Sequence, residues 1–212
     1  VFRWMLDTID YHPAGIERKR VICFSPHPDD DVISMGGTLI RLVEDKHDVH
    51  IAYMTSGNIA VFDHDAERVA ELVADYNRIF EMNSERADQL ADTVRTAIKN
   101  KRPGHPDDDS VLKIKAMIRR SEARAGALAI GCTENNLYFL DLPFYRTGTI
   151  AKKPVGDEDI QIIETLLREV RPDQIYVAGD LADPHGTHRV CAEAIFAALI
   201  NMKNRNEPTP EV

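Results

Sequence analysis

The chain lacks any apolar run long enough to span a bilayer, and no signal-peptide pattern stands at its start. It also lacks an excess of positive charge. With 26 Lys and Arg against 35 Asp and Glu, its formal charge of −9 and pI near 5.4 argue against nucleic acid or a membrane surface as partner. Cysteine is scarce: Cys23, Cys132 and Cys191 are odd in number, scattered, and set in apolar strand or helix patterns. They read as small buried hydrophobes, and a reducing cytoplasm is the expected compartment. There is no G-x-G-x-x-G either. Acids occupy the first strand-to-helix loop, where they would repel a dinucleotide's pyrophosphate.

What is present alternates. Short apolar runs predict strands at 20–24, 49–55, 137–140 and 174–178, and helical periodicity is predicted at 37–44, 66–99, 111–130, 158–170 and 188–202. This order predicts an α/β fold, Rossmann-like, with a mostly parallel sheet and helices on both faces. At 212 residues, one domain with a substantial core is expected. Gly131 and Gly186 fall where helices stop or start.

The most informative stretch is Pro26-His27-Pro28-Asp29-Asp30-Asp31, followed by Gly36-Gly37-Thr38. It lies where the first strand ends and a helix begins, the place where open α/β sheets bind ligands. His27 and Asp30 suit a first-row metal, with Asp29 free to face elsewhere. Helix capping is the ordinary alternative for such acids. The chain carries its own control, since His105-Pro106-Asp107-Asp108-Asp109 repeats the string after a charged stretch, with no strand before it and no glycine pair after. That copy reads as a loop and helix cap. A second strand-loop-helix unit bears His185 and His188; either His188 converges with His27 and Asp30 over one crevice, or the two histidines are a solvated pair at a helix entrance. Two histidines, a carboxylate and an open position suit catalytic zinc.

The string Pro26–Asp31 with Gly36-Gly37-Thr38 and a late His-x-x-His resembles the PIG-L/LmbE-like family of zinc-dependent deacetylases, which act on N-acetylglucosamine units. The likeness continues through His47 to Gly57, Arg119 to Ala125, Leu128 to Cys132 and Leu137 to Pro143. It implies His27, Asp30 and His188 as ligands for Zn2+ or another divalent first-row metal. It also implies Asp29 as general base, His185 as the group serving the oxyanion or the leaving amine, and Arg119 and Asp31 as substrate contacts. The expected partner is a small amino-sugar substrate. Three departures stand out: Asp31 replaces the usual glutamate, Thr187 replaces the aspartate of the late motif, and Thr55-Ser56-Gly57-Asn58 lacks an acid often found there. Asp180 or Asp183 is the candidate substitute for the missing acid beside His185. The altered late motif keeps a second reading in play, a non-catalytic metal-containing module that binds sugar or regulates.

The expected organisation is a lead-in linker at 1–18, the deacetylase-like domain at 19–203 and a linker-like tail at 204–212. A helical insertion is expected at 63–115, read as a lid, a homo-oligomer contact or an ordinary amphipathic cover. The opening at Val1 and the composition of both ends suggest a domain from a longer polypeptide. The resemblance adds that such domains occur fused to a glucosamine-6-phosphate-deaminase-like half. Lys152 and Lys153 read either as phosphate contacts or as a solvated pair, and His64 as an exposed residue near the site.

Overall fold

The computed structural model describes residues 17–149, 151–182 and 184–212. Four strands, β1 (Arg20–Ser25), β2 (Asp48–Tyr53), β3 (Leu137–Phe139) and β4 (Gln174–Val177), form one parallel sheet in the order β3-β2-β1-β4. Among the described residues the α-helices are α1 (Asp30–Glu44), α2 (Asp63–Ile79), α3 (Ser84–Asn100), α4 (Asp109–Ala129), α5 (Asp157–Val170) and α6 (Thr187–Asn204). The expected α/β architecture is present, with strand ends within two residues of the predicted ones.

The strand sequences explain why both faces are covered. In β1 and β2 every residue after the first is buried, so their alternating side chains feed two cores. Ile22, Phe24 and Ala52 point to a cluster with Ile163 and Leu167 of α5 and Ile195 and Ala198 of α6. Cys23, Ile51 and Tyr53 point the other way, toward Leu39 of α1 and Ala123 and Ala127 of α4. All three cysteines are buried thiols, as their apolar settings predicted.

The helix predicted over 66–99 is two helices. Ala66, Ala70 and Ala74 of α2 pack with Ala87, Ala91 and Val94 of α3 and with Val111 and Ile114 of α4 in a third, small-residue core. In one continuous helix, thirteen residues at about 100° each would turn Ala87 roughly 140° away from Ala74. The chain reverses instead, through Glu81 at φ +51°. Asp63, Lys101, Asp107 and Lys115 close this layer with ion pairs around Lys115, which is 3 % exposed.

The tail, predicted to be linker-like, is docked. Ile175 N–H donates to the Glu211 carbonyl at 2.7 Å, Glu211 N–H donates to Asp173 at 3.0 Å, and the Glu207 carboxylate takes both Arg168 and Arg205. Of the lead-in linker, residues 1–16 lie outside the described residues. No helix among the described residues is long and apolar enough to cross a membrane.

Candidate active site

The C-terminal ends of β1, β2 and β4 and the turn after β3 converge on one cleft of about 400 Å3. Its walls include His27, Asp29, Asp30, Arg119, Tyr145, Lys152, His185 and His188. The volume falls within the range that takes small ligands.

The loop after β1 is held by its own backbone and by β2. Asp29 N–H donates to the His27 carbonyl at 2.8 Å, and Ser25 Oγ both donates to that carbonyl and accepts from Asp31 N–H. Past β2, Thr55 donates to the Pro26 carbonyl through both its N–H and its Oγ1. Gly57 then passes beneath the loop at φ +61°, where a Cβ would lie 2.7 Å from Pro28 Cδ and 3.0 Å from Arg119 Nε. Only glycine fits both the conformation and the space.

His27, Asp30 and His188 are brought together, each partly buried, with one ligand atom from each lying within 4.8 Å of the others. His27 Nδ1 is 3.1 Å from Asp30 Oδ2, and His188 Nε2 is 3.3 Å from the same oxygen. Donors about 2.0–2.2 Å from one tetrahedral ion stand roughly 3.3–3.6 Å apart, so the spacing fits a shared cation. Burial pushes the Asp30 carboxyl upward, but the His27 ring and backbone N–H, with His188, hold it below its ordinary value. His188 Nδ1 is buried without a hydrogen-bond partner among the described residues. The donor set and this geometry suit a divalent first-row metal.

Asp29 stands at the N-cap of α1 but makes no side-chain cap bond. Its carboxylate turns to α4, where Arg119 Nη2 lies 2.9 Å from Oδ1. In the repeated string, Asp108 accepts from Ser110 N–H and caps α4, as read from its setting. The same residues thus do different work, decided by what precedes and follows them.

Asp31 corrects an expectation. It is 2 % exposed and points into the core, accepting from Tyr53 Oη at 2.9 Å, with Ser25 Oγ 3.3 Å away. The first turn of a helix fans successive side chains about 100° apart, so with Asp30 facing the cleft Asp31 faces the sheet. It is a buried support for the loop and does not line the cleft. Burial raises its pKa, against the bonds from Tyr53 and Ser25.

Late in the chain Gly186, at φ +70°, opens α6 and sets His185 and His188 on the cleft, with buried Thr187 between them. Asp180 is exposed, and Asp183 lies outside the described residues. His64 is 74 % exposed, stacks on Phe62 and lies off the cleft wall.

Sequence reasoning missed Tyr145, whose ring meets His27 edge-on with centroids 6.0 Å apart. Burial pushes its phenol up to about 12, against the opposing pull of the nearby Arg119 charge. The buried carboxylate of Asp159 holds this turn, accepting from Phe144 N–H and Gly156 N–H. The only signal was position: an aromatic residue in the turn just past β3.

The PIG-L family profile, GlcNAc-PI de-N-acetylase, matches residues 22–199. The chain is 54 % identical over 184 residues, 85 % of its length, to a Bacteroides thetaiotaomicron protein named "Putative glucosamine-6-phosphate deaminase-like protein", of which it spans 28 %. It is 40 % identical over 45 residues, 21 % of this chain and 17 % of the other, to a diacetylchitobiose deacetylase of Thermococcus kodakarensis. Among solved structures, N,N'-diacetylchitobiose deacetylase from Pyrococcus horikoshii shares the fold, with TM-score 0.57 and 20 % identity over 97 % of this chain and 61 % of that one. With the profile covering most of its length, the chain belongs to the PIG-L family.

Proposed function

We propose that this domain is a metal-dependent amide hydrolase, using zinc, that removes the acetyl group from an N-acetylglucosamine-type sugar. The observation that carries the reading is the grouping of His27, Asp30 and His188 beside Asp29 in one cleft of a PIG-L member. The deacetylase names of its relatives point the same way.

His27, Asp30 and His188 would hold the metal. A zinc-type ion held there would supply Lewis acidity toward an amide carbonyl and would lower the pKa of water toward the neutral range. Asp29 acts as general base, taking the proton of the attacking water. Arg119 fixes Asp29 Oδ1 by the 2.9 Å ion pair, which orients the carboxylate and leaves Oδ2 outside that contact. His185, also on the cleft, delivers a proton to the departing amine as the C–N bond breaks, so the products are acetate and the free amino sugar. Tyr145, whose phenol stays protonated at neutral pH, forms part of the cleft wall with its ring edge-on to His27.

The competing reading, a sugar-binding module without turnover, draws on Thr187 in place of the usual acid beside His185. Acetate release from acetylated amino sugars by metal-loaded protein separates the two. Tight sugar binding with no acetate from any substrate favours the module, and absence of both metal and sugar binding sinks both readings.

A further inference from the structure

In the helical layer the buried Lys115 and its neighbour Lys101 both meet carboxylates. Lys115 sits between Asp63 and Asp107, and Lys101 bridges the same pair. Lys152 is different. It lines the cleft together with Asp29, Asp30 and Arg119, whereas its neighbour Lys153 is exposed. Its ammonium donates to the Thr149 carbonyl at 3.0 Å and lies 3.9 Å above the centre of the Tyr145 ring. Among the described residues, none of its contacts is with a carboxylate.

The loop presents this side chain in a fixed way. Thr147 Oγ1 accepts from Thr149 N–H and bonds the Ala151 carbonyl, and Lys153 N–H donates to the Phe144 carbonyl. The backbone is therefore tied on both sides of Lys152. Withdrawal from water without a counter-charge disfavours an ammonium, and burial does pull Lys152 below the ordinary lysine value. A carbonyl dipole and a ring face offset only part of that cost.

The other charges of the cleft are matched. Asp29 is balanced by Arg119, and Asp30 lies between two histidines that with it suit a cation. The unmatched charge is the one on Lys152, and a bound divalent ion would make the cleft more positive still. We propose that Lys152 anchors an anionic group, a phosphate monoester or a carboxylate, carried by the amino sugar, and so sets a preference for charged over neutral substrates. The sugar in this assignment rests on the deacetylase reading above; the anion rests on Lys152 alone.

The test is calorimetric titration of the metal-loaded protein with product-type ligands, which requires no turnover. Glucosamine is compared with glucosamine 6-phosphate, glucosamine 1-phosphate and the carboxylate-bearing muramic acid, for the unaltered protein, Lys152→Met and Lys152→Arg. At least one anionic ligand is expected to bind about ten- to a hundredfold more tightly than glucosamine, the range for a bond between charged groups. That ratio should fall to within about twofold in Lys152→Met and be largely kept in Lys152→Arg. Whether the phosphate or the carboxylate ligand shows the gain identifies the anion. Equal binding of neutral and anionic ligands, or an unchanged ratio in Lys152→Met, overturns the proposal. Failure to release acetate from any acetylated counterpart would overturn the deacetylase reading and leave these binding ratios to judge Lys152.

Discussion

Arg119 reaches from the middle of α4 to place its Nη2 2.9 Å from Oδ1 of Asp29, at the N-cap of α1. The contact takes an acid that would ordinarily cap a helix and fixes it at the edge of the cleft. If Asp29 is the proton acceptor, Asp29→Asn should lower kcat by about 10²–10⁴-fold, the usual contribution of a general base. Metal content, read by elemental analysis, should not change. Loss of metal together with activity would move Asp29 into the ligand set.

Arg119 should matter through Asp29. Arg119→Met is expected to reduce kcat/KM by about one to two orders of magnitude, the scale of an interaction with a charged group. In the Asp29→Asn background the same substitution should cost much less, because the carboxylate it positions is gone. A double-mutant cycle on acetate release reads this coupling, and additive losses would show that Arg119 acts independently.

A metal bound by His27, Asp30 and His188 stabilises the fold by mass action. At a thousandfold excess of free ion over Kd, about 4 kcal/mol is expected. Thermal melts with and without zinc should therefore differ clearly for the unaltered protein and barely for His27→Ala or His188→Ala. An equal zinc-induced rise in all three would place the ion elsewhere.

Gly57→Ala tests the packing beneath the loop. The new Cβ meets Pro28 Cδ at 2.7 Å and Arg119 Nε at 3.0 Å, in a backbone conformation that disfavours alanine. Destabilisation of at least about 1 kcal/mol is expected, with a fall in kcat that exceeds any change in zinc affinity. Unaltered melting and turnover would show that the loop yields freely.

The docked tail gives a pH-dependent prediction. Arg168 and Arg205 hold the Glu207 carboxyl down at about 2, below its ordinary value of 4.5. A lowered carboxyl contributes stability above its unfolded value and loses it as pH falls through the folded one. Hydrogen exchange at the Ile175 amide, which donates to Glu211, should be faster in Glu207→Gln near neutral pH. The gap should close as pH drops from about 4.5 toward 2. A gap that persists at low pH would assign the anchoring to another contact.

The site was legible where local pattern and long-range placement agreed. His27, Asp29 and Asp30 followed from a strand, a stiffened turn and a helix start, and the copy at 105–109 showed that setting outranks string. His188 followed because a second loop of the same kind came off a strand paired with β1. Asp31 was misplaced because three adjacent acids look alike in one dimension, while the pitch of α1 sends the third into the core. The break between α2 and α3 was hidden because both halves are good helix sequence; only the phase of the alanines reveals it. Tyr145 and Lys152 acquired their places from the fold of the turn after β3, which no periodicity encodes. The tail read as a linker because its composition is polar and proline-bearing, yet two arginines and one strand edge suffice to dock it.

The two margins of the sheet are protected differently. β3 is three residues long and offers little backbone for another strand to pair with. β4 would present an open row of amides, but the segment around Glu211 already occupies part of that row. The tail therefore acts as a molecular selvedge. Trimming the protein back to the end of α6 would uncover a sticky border, and such a shortened form should self-associate through β4 under conditions where the full chain stays dispersed.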